Sequence, residues 1–316
     1  MSFSSDVKKE LANYSCNDCC LRAELYAMIK FKGILKLSYN GLGVSIVTSL
    51  NALARRIVFL FKKIYNIKLE IIAMKQLKLD KKTLYVLDLT NATDVLVDLK
   101  IMNSDRSFNE KVNNSLFRNE CCKASVVRGA FLVKGSVNDP NISNYHLEIV
   151  LSEYEDAKFI QKILDEVYIS AKISESKKGY IVYVKKSEQI GDFLKFVGAI
   201  NSLFAFEDSR IKRDYSNYVN RIINCDIANA EKVIVNAKKQ ISQIKYLQKY
   251  YGFVNFTQRL MDAVMLRSKF PESSLSELSE NSEEVTGKYI SKSGLSHCFK
   301  DIEKLYNEVK EKRGEK

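Results

Sequence analysis

The sequence has no tryptophan, only two prolines and no apolar run of about 18 residues, so no transmembrane helix is expected. Its opening, "MSFSSDVKKELANYS", is polar and amphipathic and lacks the apolar centre of a secretory signal. Seven cysteines, an odd number, with no export signal predict reduced thiols in the cytoplasm and not a disulfide framework. No G-x-x-x-x-G-K-[ST], G-x-G-x-x-G or G-x-S-x-G pattern occurs, which leaves the common nucleotide and hydrolase sites without support. At 316 residues the chain can bury large cores without disulfides or metal, and it has room for two domains.

Lysine is abundant, and the net charge is +12. Residues 1–100 carry 16 basic and 9 acidic side chains, 101–206 carry 14 and 13, 207–255 carry 9 and 5, and 256–316 carry 11 and 11. Such an excess suits a polyanion partner, or lysines spread over solvated faces.

A pattern occurs twice. "CCLRAELYAMIKFKGIL" at 19–35 and "CCKASVVRGAFLVKGSV" at 121–137 match at an offset of 102: Cys19 with Cys121, Cys20 with Cys122, Ala27 with Gly129, Lys32 with Lys134, Gly33 with Gly135. After Gly33 come strand-like "ILKLSYN" and "GVSIVTS", helical "NALARRIVFLFKKIY", then "KLEIIAM" and "TLYVLDL". After Gly135 come "HLEIVLS", helical "EYEDAKFIQKILDEVY", "SAKISES" and "GYIVYVK". Period-2 alternation marks the strands, and apolar spacing of three and four marks the helices. One α-β-β-α-β-β unit is therefore expected twice, at about 15–104 and 117–205, related by a pseudo-twofold axis. Ala27, Gly129 and Ala130 put small side chains on one face, so the two repeat helices are expected to pack closely. Gly135 is expected to close its helix as a left-handed cap.

From about 206 strand signals stop. "SRIKRDYSNYVNRIINC" reads as one helix and "DIANAEKVIVNAKKQISQIKYLQKYYG" as a second, with Ile227, Ala230, Ile234, Ala237, Ile241 and Ile244 at heptad spacing. "SSLSELSEN" followed by "SKSGLSHCFKDIEKL" has helix-turn-helix character: Leu275 and Leu278 rest on a core, and Ser291 caps a helix whose apolar face is Leu295, Phe299, Ile302 and Leu305. Lys292, Ser293, Ser296, His297 and Lys300 are left facing outward, where lysine, serine and histidine can meet base edges and phosphates, with Lys288 close by. Upstream, the polar group Asn217, Asn220, Arg221, Asn224 and Asn229 fits interhelical hydrogen bonding or phosphate contact.

The paired helices with small residues, each ending in glycine and leading into β-β-α-β-β, resemble the LAGLIDADG homing-endonuclease fold. The whole chain resembles the bacterial WhiA family of DNA-binding regulators tied to sporulation and cell division, through "SFSSDVKKEL", "CCLRAE", "RGAFLVKGSVNDP", "VNRIINCDIANAEK" and "PESSLSEL…ISKSGLSHCFKDIEKL". The resemblance implies an α+β fold: a two-repeat LAGLIDADG-like α-β-β-α-β-β domain over 1–205, a helical linker over 206–254 and an all-α helix-turn-helix domain over 255–316. In LAGLIDADG enzymes the residue before each closing glycine is an acid that holds metal at the scissile phosphates. Here Lys32 and Lys134 stand there; charged lysine offers no lone pair to a cation, so the nuclease chemistry is expected to be lost and no catalytic residue is assigned.

The cysteines leave two readings. C-x-x-C-C at Cys16, Cys19 and Cys20, with Cys121 and Cys122 near by pseudo-symmetry, admits zinc. Packing at the helix starts is favoured, because adjacent cysteines on a helix should point apart and no histidine accompanies them; neither metal nor cofactor is assigned. His146 is expected to be structural.

The expected function is sequence-specific DNA binding by a transcriptional regulator of cell division, chromosome segregation and sporulation, in the cytoplasm and associated with the nucleoid. Its partners are double-stranded DNA, contacted by Lys288, Lys292, Ser293, Ser296, His297, Lys300, Arg213 and Arg221, and a protein such as a sigma factor or co-regulator, with no membrane. The rivals are an active LAGLIDADG-type endonuclease and a scaffold whose N-terminal domain docks a protein.

Overall fold

The structure, a computed structural model, describes residues 2–38, 41–75, 83–109, 117, 119–142 and 144–314. The strand expected over "ILKLSYN" is described only to Ser38; its last two residues lie outside the described residues. The chain divides into two compact units, 1–214 and 215–316.

In the first unit the order is α1 (Phe3–Ala12), α2 (Asp18–Lys32), β1 (Ile34–Ser38), β2 (Gly41–Thr48), α3 (Asn51–Tyr65), β3 (Glu70–Lys75), β4 (Thr83–Leu89) and α4 (Thr93–Asp98). The second repeat follows: α5 (Glu120–Lys134), β5 (Gly135–Val137), β6 (Leu147–Leu151), α6 (Tyr154–Glu166), β7 (Lys172–Ser176), β8 (Gly179–Val184) and α7 (Ser187–Val197). The repeat is thus α-β-β-α-β-β with a further helix closing each copy. Each copy forms an antiparallel sheet of the same connectivity, β1-β2-β4-β3 and β5-β6-β8-β7. Register places Ile46 opposite Leu87 and Ile149 opposite Val182, all four buried, so alternate residues of the inner strands feed one core.

The two repeat helices α2 and α5 form the middle of that core. A Cβ added to Gly129 would lie 2.5 Å from the Glu24 carbonyl oxygen and 2.9 Å from the Ala27 Cβ. The missing side chain is therefore what lets the backbones approach, the reward that offsets a mid-helix glycine's cost of about 1 kcal/mol. The left-handed cap is corrected: Gly135 is extended (φ −85°, ψ 158°), as is Gly33. Glycine is required there for room, because a Cβ would overlap the Phe131 ring at Gly135 and sit 2.5 Å from the Ile29 carbonyl oxygen at Gly33.

One helix, α8 (Ile200–Tyr250), replaces the two helices read from the sequence, and the division between the units falls inside it. Its first turn is capped from α1: Glu10 accepts from the Asn201 and Ser202 amides at 2.7 and 2.8 Å, a carboxylate at the positive helix end. In the second unit α8 is followed by α9 (Gln258–Lys269), α10 (Leu275–Glu280), α11 (Ser282–Thr286) and α12 (Lys292–Lys312). Ile244 and Leu247 of α8 are buried with Ala263, Leu266, Leu278, Leu295, Phe299 and Ile302, so the end of α8 belongs to the core of the helix-turn-helix unit. Of the heptad positions, Ala237 and Ile244 are buried and Ile227 and Ile234 are exposed.

Candidate nucleic-acid interface

Lysines gather at the C-terminal ends of the paired helices α2 and α5. Lys32 donates to the Val133 carbonyl oxygen at 3.4 Å. Burial, reinforced by the charge of Lys134, holds Lys32 below the ordinary lysine range. Lys8 of α1, whose ammonium lies 5.7 Å from the Phe131 ring centroid, is brought down to about 8 by burial and then by Lys32. Lys32 and Lys134 converge as their spacing implied, and Lys8 joins them. A divalent cation would be repelled by these ammonium groups, whereas an anion would meet complementary charge.

Sequence reasoning missed a second charged group, about two turns into the helix pair. Glu24, fully buried, accepts a bidentate pair from Arg56 at 2.7 and 2.8 Å and an N–H from Arg128 at 3.5 Å. Arg128 also donates to the Val197 carbonyl oxygen at 2.6 Å and lies 3.9 Å from the Tyr14 ring centroid. These residues stand at ordinary helical positions, and only their burial marks them. The group ties α2, α3, α5 and the end of α7 together, and its removal of one partner would leave an uncompensated buried charge.

The cysteine expectation is corrected in its geometry. The Sγ atoms of Cys19, Cys20, Cys121 and Cys122 all lie within 4.8 Å of one another. Adjacent cysteines diverge about one helix axis, but two helix starts meeting side by side turn all four sulfurs inward. Burial pushes the Cys20 thiol up to about 12 and raises Cys122 as well, while contact with Cys20 lowers Cys121. His146 lies just before β6, with Nε2 3.3 Å from Glu148 and its ring 5.9 Å from that of Tyr183.

In the second unit Ser291 accepts from the Gly294 amide at 3.2 Å, capping α12 as its sequence implied. Leu295, Phe299 and Ile302 are buried, as is Cys298. Lys292, Ser293, His297 and Lys300 are exposed along the first turns of α12, and Ser296 is half-buried beside them. Lys288 differs in being committed: its ammonium lies 2.6 Å from the buried carboxylate of Asp262. The long joint between the two helices is filled by α11 and tied by serines. Ser279 donates to the Ile290 carbonyl oxygen at 2.7 Å, and Ser282 accepts from the Ile290 amide at 2.8 Å. Arg267, buried, anchors this unit by donating to Gln240 of α8 at 2.9 Å and to the Ser273 carbonyl oxygen at 2.6 Å.

The arginines upstream separate in the structure. Arg213 donates to the Pro140 carbonyl oxygen at 3.5 Å and stands 5.1 Å from the Tyr145 ring centroid. Arg221 is exposed on α8 with Asn217, Asn220, Asn224 and Asn229, and among the described residues these asparagines make no hydrogen bond to another helix. Among the described residues the interhelical reading of that polar group is thereby corrected, since all five of its side chains are exposed.

Two LAGLIDADG-like units in tandem, followed by a helix-turn-helix, define the class. The model of the WhiA N-terminal LAGLIDADG-like domain matches residues 18–102, that of the WhiA LAGLIDADG-like domain 123–216, and that of the WhiA C-terminal helix-turn-helix domain 219–306. The chain is 39% identical over 311 residues to the probable cell division protein WhiA of Bacillus subtilis (strain 168), covering 98% of each. It is 40% identical over 313 residues to that of Bacillus pumilus (strain SAFR-032), again covering 98% of each. The crystal structure of full-length DUF199/WhiA from Thermatoga maritima is similar at a TM-score of 0.60 and 25% identity, with 98% of this chain and 99% of that one covered. The chain belongs to the WhiA family. No helix among the described residues is long and apolar enough to cross a membrane.

Proposed function

We propose that the protein is a sequence-directed DNA-binding regulator of cell-division genes, and by the same resemblance of chromosome-segregation and sporulation genes, with a repeat domain that has kept the LAGLIDADG shape without its nuclease chemistry. One observation carries the reading: α12 begins at a serine cap and presents Lys292, Ser293, His297 and Lys300 to solvent on the face opposite its buried Leu295, Phe299 and Ile302. A helix of that build offers its first turns to a major groove, where these side chains donate to base edges and phosphates. The relatives' designation as cell division proteins supports the choice of target genes. Lys32 and Lys134 in place of metal-holding acids, with Lys8 beside them, support a non-enzymatic role for the repeat domain. Lys288 assists by positioning, since its ammonium is held by Asp262.

A scaffolding role for the repeat domain is favoured by a separate observation. β1 and β3, the two edges of the first sheet, each expose apolar side chains, Leu37 on one and Ile71, Ile72 and Met74 on the other, and such exposed apolar residues suit a protein partner better than a polyanion. It is compatible with DNA reading by the second unit.

The test is binding to an operator found by genome-wide mapping of bound DNA. Alanine at Ser296, His297 or Lys300 is expected to weaken specific binding by about 1–3 kcal/mol wherever the side chain reaches a base edge, with the fold intact. Unchanged affinity in all three variants would mean that α12 does not read the groove.

A further inference from the structure

The four cysteines at the start of the repeat helices remain unused by DNA binding. Buried cysteine serves well as a small apolar side chain, which accounts for Cys20 and Cys122, exposed by only 3% and 2%. It does not account for Cys19 and Cys121, which are exposed and yet turn their sulfurs onto the same point. We propose that Cys19, Cys20, Cys121 and Cys122 are the ligands of one tetrahedral thiophilic divalent cation, zinc by its chemistry, which clamps together the N-terminal ends of the two repeat helices.

The distances select the occupant. Zinc bonds thiolate sulfur at about 2.3 Å, so a tetrahedral site has sulfur–sulfur edges of about 3.8 Å. The Cys19 and Cys20 sulfurs stand 3.9 Å apart, and none of the six separations exceeds 4.8 Å. A small inward adjustment closes the tetrahedron. An iron–sulfur cluster puts sulfide and several irons between its cysteines and requires a wider ring of ligands than this one. Four sulfur donors without histidine or carboxylate also favour a soft cation over magnesium or calcium.

The helix starts carry charge complementary to thiolate. Each cysteine pair occupies the same place in the first turn of α2 or α5, and neither helix has a side-chain cap, so both present their partial positive charge to the sulfurs. Cys20 and Cys121 line a cleft with Ser125 and Arg128, which gives an ion a path from solvent, while Cys20 and Cys122 close the site on the core side. Binding exchanges protons and no electrons: four thiols release four protons to solvent, four sulfur–metal bonds form, and the site carries a net charge of minus two that the helix ends oppose. A site with all four positions filled by protein is structural, not catalytic. It would hold the two copies of the duplicated unit in one relative orientation at the end of the helix pair opposite the lysines.

The experiment uses the full chain, purified under reducing conditions and freed of metal by a chelator. Cobalt(II) added as a probe is expected to give the intense visible bands of a tetrahedral thiolate complex, saturating at one equivalent and abolished by one equivalent of zinc. Native mass spectrometry should then show one zinc per chain. The double variant C19S/C121S alters only exposed ligands, so it should keep the far-ultraviolet circular dichroism of the native fold and lose the cobalt bands; C225S, at an exposed cysteine elsewhere, should keep them. The proposal is overturned by a folded native chain that takes up no cobalt at one equivalent, by the weak spectrum of octahedral cobalt, or by bands that survive in the double variant. Anaerobic reconstitution that loads an iron–sulfur chromophore in preference to zinc would overturn it as well. None of these outcomes depends on DNA binding, so the functional reading stands or falls separately.

Discussion

Replacing Gly129 with alanine sets two effects of opposite sign against each other. Helix propensity alone favours alanine by about 1 kcal/mol in the interior of α5. Packing opposes it, because the new methyl would lie 2.5 Å from the Glu24 carbonyl oxygen and 2.9 Å from the Ala27 Cβ. The first neighbour is backbone, which cannot rotate aside, so α2 and α5 must separate locally. Overpacking of this kind costs about 1–3 kcal/mol, and the rigid obstacle puts this site at the upper end. Shifting the backbone at Glu24 also disturbs its bidentate pair with Arg56, buried between the helices. The net is a loss of about 2 kcal/mol, which for a domain of roughly 200 residues lowers the Tm by about 4–8 °C. Thermal unfolding of the full chain, followed by circular dichroism, measures it. An unchanged or higher Tm would show that propensity wins and that the close approach of the two helices at Gly129 is wrong.

Three other outcomes follow from the same geometry. The protein should not cut DNA in magnesium or manganese; metal-dependent double-strand cleavage that disappears in K32A or K134A would refute the loss of chemistry. Phosphate contacts contribute about −0.9 each to the log–log salt slope, and the excess charge lies upstream of the neutral stretch 256–316. The full chain should therefore show a steeper slope on an operator duplex than a fragment over 236–316, a length chosen to keep Gln240, Ile244 and Leu247, which the second unit needs. Equal slopes would mean that the upstream charge faces another partner. Native Lys8 loses its proton near pH 8 against an ordinary 10.5, so the unfolded chain binds more protons between those values and stability rises with pH across that window. The K8M variant removes this penalty: its gain in stability over the native chain should be larger at pH 7.5 than at 9.5, and an equal gain at both would refute the burial of a charged Lys8.

Much of this protein is written in its local pattern. The 102-residue offset announces two copies of one unit, and period-2 and period-3.6 spacing places their strands and helices, because both depend on neighbours a few residues apart. The Ser291 cap and the polar face of α12 are legible for the same reason: a helix start is built from its own first residues. Lys32 and Lys134 could be paired from the repeat alone. What depends on residues far apart in sequence had to await the tertiary structure. Glu24, Arg56 and Arg128 look like surface charges until three helices bury them together. Gly135 looks like a left-handed cap until the Phe131 ring is seen to fill the space of its absent side chain. The two helices read over 209–225 and 226–252 are one, because nothing where they meet, at Cys225 and Asp226, breaks the backbone hydrogen bonding. Adjacent cysteines diverge on any single helix, and only the meeting of two helix starts brings Cys19, Cys20, Cys121 and Cys122 within reach of one ion. Periodicity is a property of one segment, whereas burial, close approach and convergence are properties of pairs of segments, and those are decided by packing.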